Sequence, residues 1–276
     1  MMPYRAKNIF LAALAVAGSA CGAQASKPKN TTGNSAGLPG IVEKAPGQFP
    51  SPLPGALESL SSHMVIPVLA PRVIPPNLSA RTTSAESGYS VTLYRCQSEF
   101  PLNSPEIGNP PDCSGLTRHF GDFGATRYPS AAAARLAMAT WKNRSTRFCA
   151  PNPASSQQLS LAPGVQGAIL RAKGVFGYCE MRFVLRGWSV LIGGDASLFS
   201  IAEAKKEGLR VVEFMTEARI PVKDGTVVVQ TAGDGNHTWL TWTIGRNLYS
   251  VGGYRSTSAA FAMAGSMTLV GGAAAQ

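Results

Sequence analysis

One unit that combines strand-like and helix-like sequence recurs along this chain, and it restricts the fold more than any other feature. The stretches "RGWSVLIGGDASLFSIAEA" (residues 186–204) and "RNLYSVGGYRSTSAAFAMA" (residues 246–264) each hold an aromatic residue, then Ser-Val, then Gly-Gly, then an Ala-rich run that begins with Ser. Two apolar runs of strand length precede each stretch. Each copy therefore predicts three antiparallel strands followed by a helix.

A third, less complete copy begins at "YSVTLYRC" (residues 89–96) and ends at "YPSAAAARLAMATWKNR" (residues 128–144). Ser130 is the expected N-cap of its helix, because a Ser side chain can accept a hydrogen bond from a free backbone N–H and the alanines after it are strong helix formers. The three copies together predict an α+β fold of repeated antiparallel strand-strand(-strand)-helix units, with the helices covering one face of the sheet.

Local patterns add detail to the last two units. "AGDGNH" (residues 232–237) places Asp-Gly between two β-rich runs and predicts a hairpin. Alternation in the following run puts Thr238, Leu240, Trp242 and Ile244 on one face, which we expect to be buried. The helix expected over residues 197–217 has Gly208 as its weak point. Its apolar positions are Leu198, Ile201, Ala202, Leu209, Val212 and Met215.

Four aromatic residues of these units have two interpretations. Trp188, Trp242 and Tyr249 recur at matching positions, as a shared core would require. Trp239 falls on the face opposite Trp242, and it is our candidate for stacking on a sugar ring or an acyl chain.

The N-terminus has the pattern of an export signal. Arg5 and Lys7 precede the apolar run "IFLAALAVAG" (residues 9–18), which is shorter than the roughly 20 residues that a membrane span needs. We expect residues 1–20 to be a signal peptide. Cleavage after "AQA" (residues 23–25) would leave a freely secreted protein. Alternatively "AGSAC" resembles a bacterial lipobox, which would make Cys21 a lipid attachment site on the extracytoplasmic face of the membrane.

Proline and glycine divide the rest of the chain. Residues 21–55 are rich in both and predict a flexible tether. Residues 56–87 contain a short helical stretch broken by four prolines, and we expect them to pack on the body as a helix and an extended segment. The globular body is expected over residues 88–270, in units 88–150, 160–218 and 219–270.

Cysteine number supports export. Without Cys21 an even number remains, which suits two disulfides in an oxidising compartment. Three pairings are open to four cysteines. We favour Cys96 with Cys113 and Cys149 with Cys179, because each pair would close a Pro-rich or Gly-rich loop.

The C-terminal run carries a resemblance to known proteins. "WLTWTIGRNLYSV" followed by "AAFAMAGSM" is similar to the last module of secreted lipoproteins of Gram-positive bacteria that belong to uncharacterised families, and "PVLAPRVIPPN" looks like the segment that leads into their fold. The similarity extends loosely over about the last 190 residues. It implies an envelope location and an α+β fold, and it carries over no catalytic residue.

Positive charge is concentrated in one quarter of the chain. Without Arg5 and Lys7, 23 Lys and Arg against 15 Asp and Glu give a net charge of +8, and residues 118–186 alone hold ten basic and two acidic residues. A solvated helix face with cations near its C-terminus would explain part of this. The alternative is a patch for an anionic lipid or wall polymer. Its candidate residues are Arg127, Arg135, Lys142, Arg144, Arg147, Arg171 and Lys173.

Motifs of known chemistry are scarce. The chain has three histidines, no "GxSxG" and no Walker lysine, and nothing in it resembles a nucleic-acid-binding motif. His119 near Cys113 and Asp122 could suggest a metal site, but an exported thiol is expected to be disulfide-bonded. His237 beside Asp234 suits a solvated hairpin turn. We expect no catalytic residue, metal or cofactor.

The sequence thus favours a membrane-anchored extracytoplasmic lipoprotein that binds an anionic ligand or an envelope partner. Two alternatives remain. One is an exported hydrolase whose site uses carboxylates such as Glu180 or Asp195. The other is a scaffold subunit of an envelope complex.

Overall fold

The computed structural model of the chain describes residues 43–107, 113, 119–145, 155–171, 178–194, 199–218, 220 and 222–271, and only the backbone of residues 141–145. These ranges contain four α-helices and two β-sheets, so a mixed helix-and-sheet fold is confirmed. The helices are α1 (Leu53–His63), α2 (Ala131–Ser145), α3 (Ile201–Glu217) and α4 (Thr257–Gly265). The strands are β1 (Glu43–Lys44), β2 (Leu69–Pro71), β3 (Ser79–Ala85), β4 (Gly88–Tyr94), β5 (His119–Arg127), β6 (Ser155–Ala162), β7 (Val165–Arg171), β8 (Tyr178–Leu185), β9 (Trp188–Gly194), β10 (Gly225–Ala232), β11 (Gly235–Ile244), β12 (Asn247–Gly253) and β13 (Met267–Val270).

The larger sheet has ten strands in the order β3-β4-β5-β12-β11-β10-β9-β8-β7-β6. Neighbours are antiparallel except β9 and β10, which run parallel because α3 carries the chain back between them. The smaller sheet has the order β1-β13-β2, with β1 parallel and β2 antiparallel to β13.

The hairpin expected near residue 234 is confirmed. β10 and β11 pair from Ala232 opposite Gly235, so Gly233 and Asp234 form a two-residue turn. Gly235 has φ +122°, a conformation that residues with a side chain rarely adopt.

Three helices begin at a serine. The Oγ of Ser130 accepts a hydrogen bond from the N–H of Ala133 at 3.1 Å, which confirms the expected cap of α2. Ser200 and Ser256 cap α3 and α4 in the same way. These caps satisfy N–H groups that have no partner within the helix.

The first face of the large sheet carries Thr238, Leu240 and Trp242, which are fully buried as expected. Ile244, at the end of β11, was expected to be buried too but is only half-buried. The ring of Trp242 stacks on Tyr249, with centroids 6.0 Å apart. Trp188 is also buried and lies 6.5 Å from Trp242. The core interpretation of these three aromatic residues is therefore correct.

Two tyrosines join this face to the segment that leads into β2. The hydroxyl of Tyr249 donates to the carbonyl of Pro67 at 3.0 Å. The hydroxyl of Tyr89 donates to the carbonyl of Leu69 and accepts from its N–H. These hydrogen bonds hold residues 67–69 against β4 and β12.

Both faces of the large sheet are covered, which corrects the expectation of helices on one face. α4 lies on the first face, where Thr257 accepts a hydrogen bond from Thr238. α2 contacts β10, β11 and β12, and Leu191, Val228 and Thr241 on the second face are buried as well. The reason is visible in the continuous apolar runs of β9 and β10, since strands buried on both sides do not alternate.

The expected pairing of Cys96 with Cys113 is confirmed, with 4.7 Å between their Cα atoms. Both cysteines are buried and form a small cluster with Ile107, against which Tyr94 and Phe100 pack. Cys179 is buried and disulfide-bonded. Its expected partner Cys149 lies outside the described residues.

The described fold includes part of the two segments expected ahead of the body. Phe49 and Leu53, the first residue of α1, fall in the range expected to be a tether, yet both side chains are buried in the core. β3 falls within the segment 56–87, yet it forms the edge of the large sheet beside β4.

No helix in the described ranges combines the length and the apolar character that crossing a membrane requires.

Candidate functional site

The start of α4 is tied to the β10–β11 hairpin by one arginine. Arg255 donates to Oδ2 of Asp234 through Nε at 3.2 Å and Nη2 at 3.1 Å. The other carboxylate oxygen of Asp234 lies 3.1 Å from Nε2 of His237. Arg255 has φ +64°, so its backbone is in the left-handed region, and this turn directs the chain into α4.

Arg255 and Arg210 line one cavity of about 450 Å³, which we call the arginine cavity. It lies where α3, the start of α4 and the β10–β11 hairpin meet. Its lining residues are Arg210, Phe214, Gly235, Asn236, Arg255, Ser256, Thr257 and Ser258.

A buried hydrogen-bond network lies beside the arginine cavity. Thr257 donates to Oε1 of Glu207 at 2.7 Å and accepts from Thr238 at 3.1 Å. Oε2 of Glu207 lies 3.4 Å from Nη1 of Arg210. Glu207 is 4% exposed, so its carboxylate depends on these two partners for stabilisation. The network fixes α3 to α4 and holds Arg210 at the cavity.

Each arginine keeps donors for a further group. An arginine has five N–H donors, and Arg255 uses two of them on Asp234. Arg210 uses Nη1 on Glu207. Within the described part of the chain, Nη1 of Arg255 and the Nε and Nη2 groups of Arg210 make no hydrogen bond. The arrangement can therefore bind an anion with side chains that are already held in place.

A second cavity, of about 540 Å³, adjoins the first and shares Phe214 and Ser258 with it. We call it the apolar groove. It runs between the last two turns of α3 and the body of α4. Its lining residues are Val73, Phe214, Glu217, Ala218, Ser258, Phe261, Ala262, Gly265 and Ser266.

Aromatic and polar side chains form a cluster next to Asp234, which His237 contacts. His119 packs between Tyr94 and Tyr254, with ring centroids 4.6 and 5.1 Å away. The ring of Tyr254 also meets His237 and Trp239 edge-on. We call these five residues the aromatic cluster.

Asp122 is the acidic member at the centre of this region. Its Oδ2 accepts from the hydroxyl of Tyr254 at 3.0 Å, and it also hydrogen-bonds the backbone of Gly252. Gly252 is required here, since a Cβ on it would lie 2.7 Å from Oδ1 of Asp122 and 3.0 Å from Trp239.

Burial is the largest cause of the pKa shifts of Tyr254 and His119 in the aromatic cluster and of the adjacent Asp122. It raises the pKa of Asp122 and Tyr254 and lowers the pKa of His119. All three groups are thereby shifted toward their neutral forms. By contrast, hydrogen bonding to His237, and then to Arg255, holds the pKa of Asp234 below its ordinary value.

The structure separates the described members of the predicted anionic-ligand patch. Arg127 ends β5 and Arg171 ends β7, six strand positions apart in the sheet, or roughly 29 Å at the usual strand spacing. Arg135 is exposed on α2. The side chains of Lys142 and Arg144, and residues Arg147 and Lys173, lie outside the described residues.

Other candidates have defined places. Trp239 lies opposite the buried Trp242 face, as predicted, where its indole contacts His237 and Tyr254. Glu180 is fully buried and paired with Arg182. Cys21 and Asp195 lie outside the described residues. Among the described side chains, no group of three His, Cys, Asp or Glu could hold a metal ion, and Cys113 is in a disulfide.

Arg210, Glu207, Arg255 and Thr257 were not predicted as site residues. The i, i+3 spacing of Glu207 and Arg210 and the serine cap after Arg255 were readable signals for helices. Nothing local indicated that residues about 45 positions apart would share a cavity.

Comparison with protein-family models, with curated proteins and with solved structures finds no match to this chain.

Proposed function

We propose that this protein is an extracytoplasmic binding module that takes an anionic ligand into the arginine cavity. The observation that carries the proposal is that Arg210 and Arg255 line one cavity and keep N–H donors that make no hydrogen bond to the described residues. Hydrogen bonds between a guanidinium and an anion are among the stronger polar contacts.

Preorganisation supports the same proposal. Glu207 holds Arg210, and Asp234 holds Arg255. A ligand would therefore meet two side chains whose positions are already restricted, and it would lose less side-chain entropy on binding. The N-terminus of α4 also faces this cavity through Ser256 and Thr257, and its dipole favours negative charge.

We also propose that the protein is exported and anchored through a lipid on Cys21. The leader pattern of residues 1–20 and the small residues before Cys21 support this. The disulfide of Cys96 with Cys113 agrees with an oxidising compartment. Intact-mass spectrometry of protein from its own membrane fraction tests the anchor. A chain that begins at Ser26 without an acyl group would overturn it.

We further propose that units 160–218 and 219–270 are copies of one structural unit. The succession β7, β8, β9, α3 parallels the succession β10, β11, β12, α4. An experimental structure tests this by superposition. Failure of the three strands and the helix of one unit to superpose on those of the other would contradict the proposal.

The binding test uses the full chain with inorganic phosphate as the probe, at low ionic strength. Binding is measured by titration calorimetry and by the rise in unfolding temperature that a ligand of the native state produces. Arg210→Gln and Arg255→Gln should each weaken binding about tenfold or more, since each removes charge-assisted hydrogen bonds.

Arg135→Gln is the matched control, because it removes one exposed arginine of the predicted patch on α2. It should leave phosphate affinity unchanged. If Arg135→Gln weakens binding and the cavity variants do not, the patch is the anion site and the cavity proposal is wrong. Absence of any phosphate binding by the wild-type chain would also contradict it.

A further inference from the structure

The arginine cavity and the apolar groove lie side by side and differ in chemistry. Phe214 and Ser258 line both of them. One end presents two arginines. The other is lined by Phe214 and the buried Phe261, whose rings stack with centroids 5.7 Å apart, and by the exposed side chain of Val73.

From this adjacency we propose that the ligand is a free, single-chain anionic amphiphile, with its carboxylate or phosphate at Arg210 and Arg255 and its alkyl chain in the apolar groove. The proposal rests on the proposed function and deepens it, since it names the chemical class of the ligand. It commits to a monomeric ligand, in contrast to the surface of a membrane.

Charge also sets the direction in which such a ligand lies. Glu217 lines the groove at the end away from Arg210. An anionic headgroup placed there would meet a carboxylate, whereas at the opposite end it would meet two guanidinium groups. The headgroup therefore lies at the arginines, and the chain points toward Glu217 and Ser266.

The groove has a length that limits the chain. Arg210, Phe214 and Glu217 lie on one side of α3, and seven residues of helix correspond to roughly 10 Å. Affinity should rise as methylene groups enter the groove and should level off when the chain extends beyond Glu217. Each added methylene that enters is expected to tighten binding about twofold to fourfold.

The experiment compares butanoate, hexanoate, octanoate and decanoate as monomers with the full chain, by titration calorimetry, beside inorganic phosphate. Ala262→Glu is the decisive variant, because Ala262 is exposed on α4 and lines the groove. A carboxylate at this position should abolish the gain with chain length and leave phosphate binding within about twofold. Ala202→Glu on α3 is the matched control at an exposed position outside both cavities.

The outcomes separate the two proposals. A rise with chain length that Ala262→Glu removes and Ala202→Glu keeps supports the amphiphile. If affinity is equal for all chain lengths but still depends on Arg210 and Arg255, the amphiphile proposal is wrong and the anion-site proposal stands. No binding of any probe overturns both. Binding only to vesicles of phosphatidylglycerol, and not to monomers, also overturns the amphiphile.

Discussion

Arg255 and Asp234 are joined by two hydrogen bonds, from Nε at 3.2 Å and Nη2 at 3.1 Å to the same carboxylate oxygen. The pair connects the turn between β10 and β11 to the residue that precedes the cap of α4. Asp234 at the same time contacts His237 of the aromatic cluster. The arginine cavity and the aromatic cluster therefore share one ionic contact.

Asp234→Asn should reduce stability at neutral pH, and the reduction should disappear in acid. The pKa of Asp234 is lowered in the native state, so its contribution is present above the ordinary pKa of Asp, about 3.9, and is lost as the pH falls through the native value. The effect should not exceed about 1 kcal/mol, because the pair is partly exposed. Urea unfolding at pH 7 and pH 2.5 measures it. A difference that grows in acid would contradict the assignment.

Asp122→Asn should show the opposite pH dependence. Burial raises the pKa of Asp122, so the native state favours the protonated form, and stability is lost as the pH rises through the raised pKa. An amide has no charge to desolvate. The stability of the variant relative to wild type should therefore increase from pH 3 to pH 7, by about 1 kcal/mol. A relative stability that stays constant over this range would show that Asp122 titrates normally.

Thr257→Val should destabilise the protein by about 1–3 kcal/mol, because it removes a hydrogen bond from a buried carboxylate. Glu207 would keep only Arg210, and the hydroxyl of Thr238 would lose its acceptor. Thr216→Val is the control, since the hydroxyl of Thr216 is exposed and donates to Val212 within its own helix. Urea unfolding of both variants measures the difference, and equal losses would argue against a special role for Thr257.

Gly253→Ala should cost about 1–3 kcal/mol through overpacking. A Cβ on Gly253 would lie 2.8 Å from both the backbone N of Ala260 and the carbonyl oxygen of Ser256, and backbone atoms cannot move aside cheaply. Gly233→Ala, where nothing lies within 4 Å, should change stability by less than about 0.5 kcal/mol. Thermal unfolding of the two variants tests the contact between β12 and the first turn of α4.

Replacing Cys96 and Cys113 together by Ala should lower the free energy of unfolding by about 3 kcal/mol, the expected size for a cross-link between residues 17 apart. The double variant tests this disulfide alone, whereas chemical reduction would also break the disulfide of Cys179. Its urea midpoint should fall without loss of native circular dichroism in water. An unchanged midpoint would show that the cluster around Ile107 is stable without the disulfide.

Short-range patterns predicted several elements well. The alternation in β11 identified Leu240 and Trp242 as buried, the Asp-Gly pair located the β10–β11 hairpin, and Ser130 marked the start of α2. Each of these depends on a preference that acts within a few residues. The pairing of Cys96 with Cys113 could also be predicted from the sequence, because the two cysteines flank a short loop of the chain.

The orientation of α3 was decided by tertiary packing. Of the apolar positions named for this helix, Met215 is buried, Ile201 and Val212 are half-buried, and Ala202 and Leu209 are exposed. The buried face holds Ala204, Glu207, Gly208 and Val211 besides Met215. Gly208 lies so close to the sheet that a Cβ would be 2.5 Å from Cε of Met181. The close packing of Gly208 against the sheet, and not the pattern of apolar residues, therefore sets which face of α3 is buried.

The sequence by itself determined the kinds of elements and their local boundaries, because backbone preference and side-chain periodicity act between near neighbours. Only the tertiary structure decided that Arg210 and Arg255 line one cavity, and that Glu207 is buried. A buried carboxylate is stable only when hydrogen-bond partners surround it. One partner of Glu207 is Thr257, which lies on another helix 50 residues further along the chain. Such contacts depend on how the helices pack on the sheet, and no periodicity along the chain encodes them.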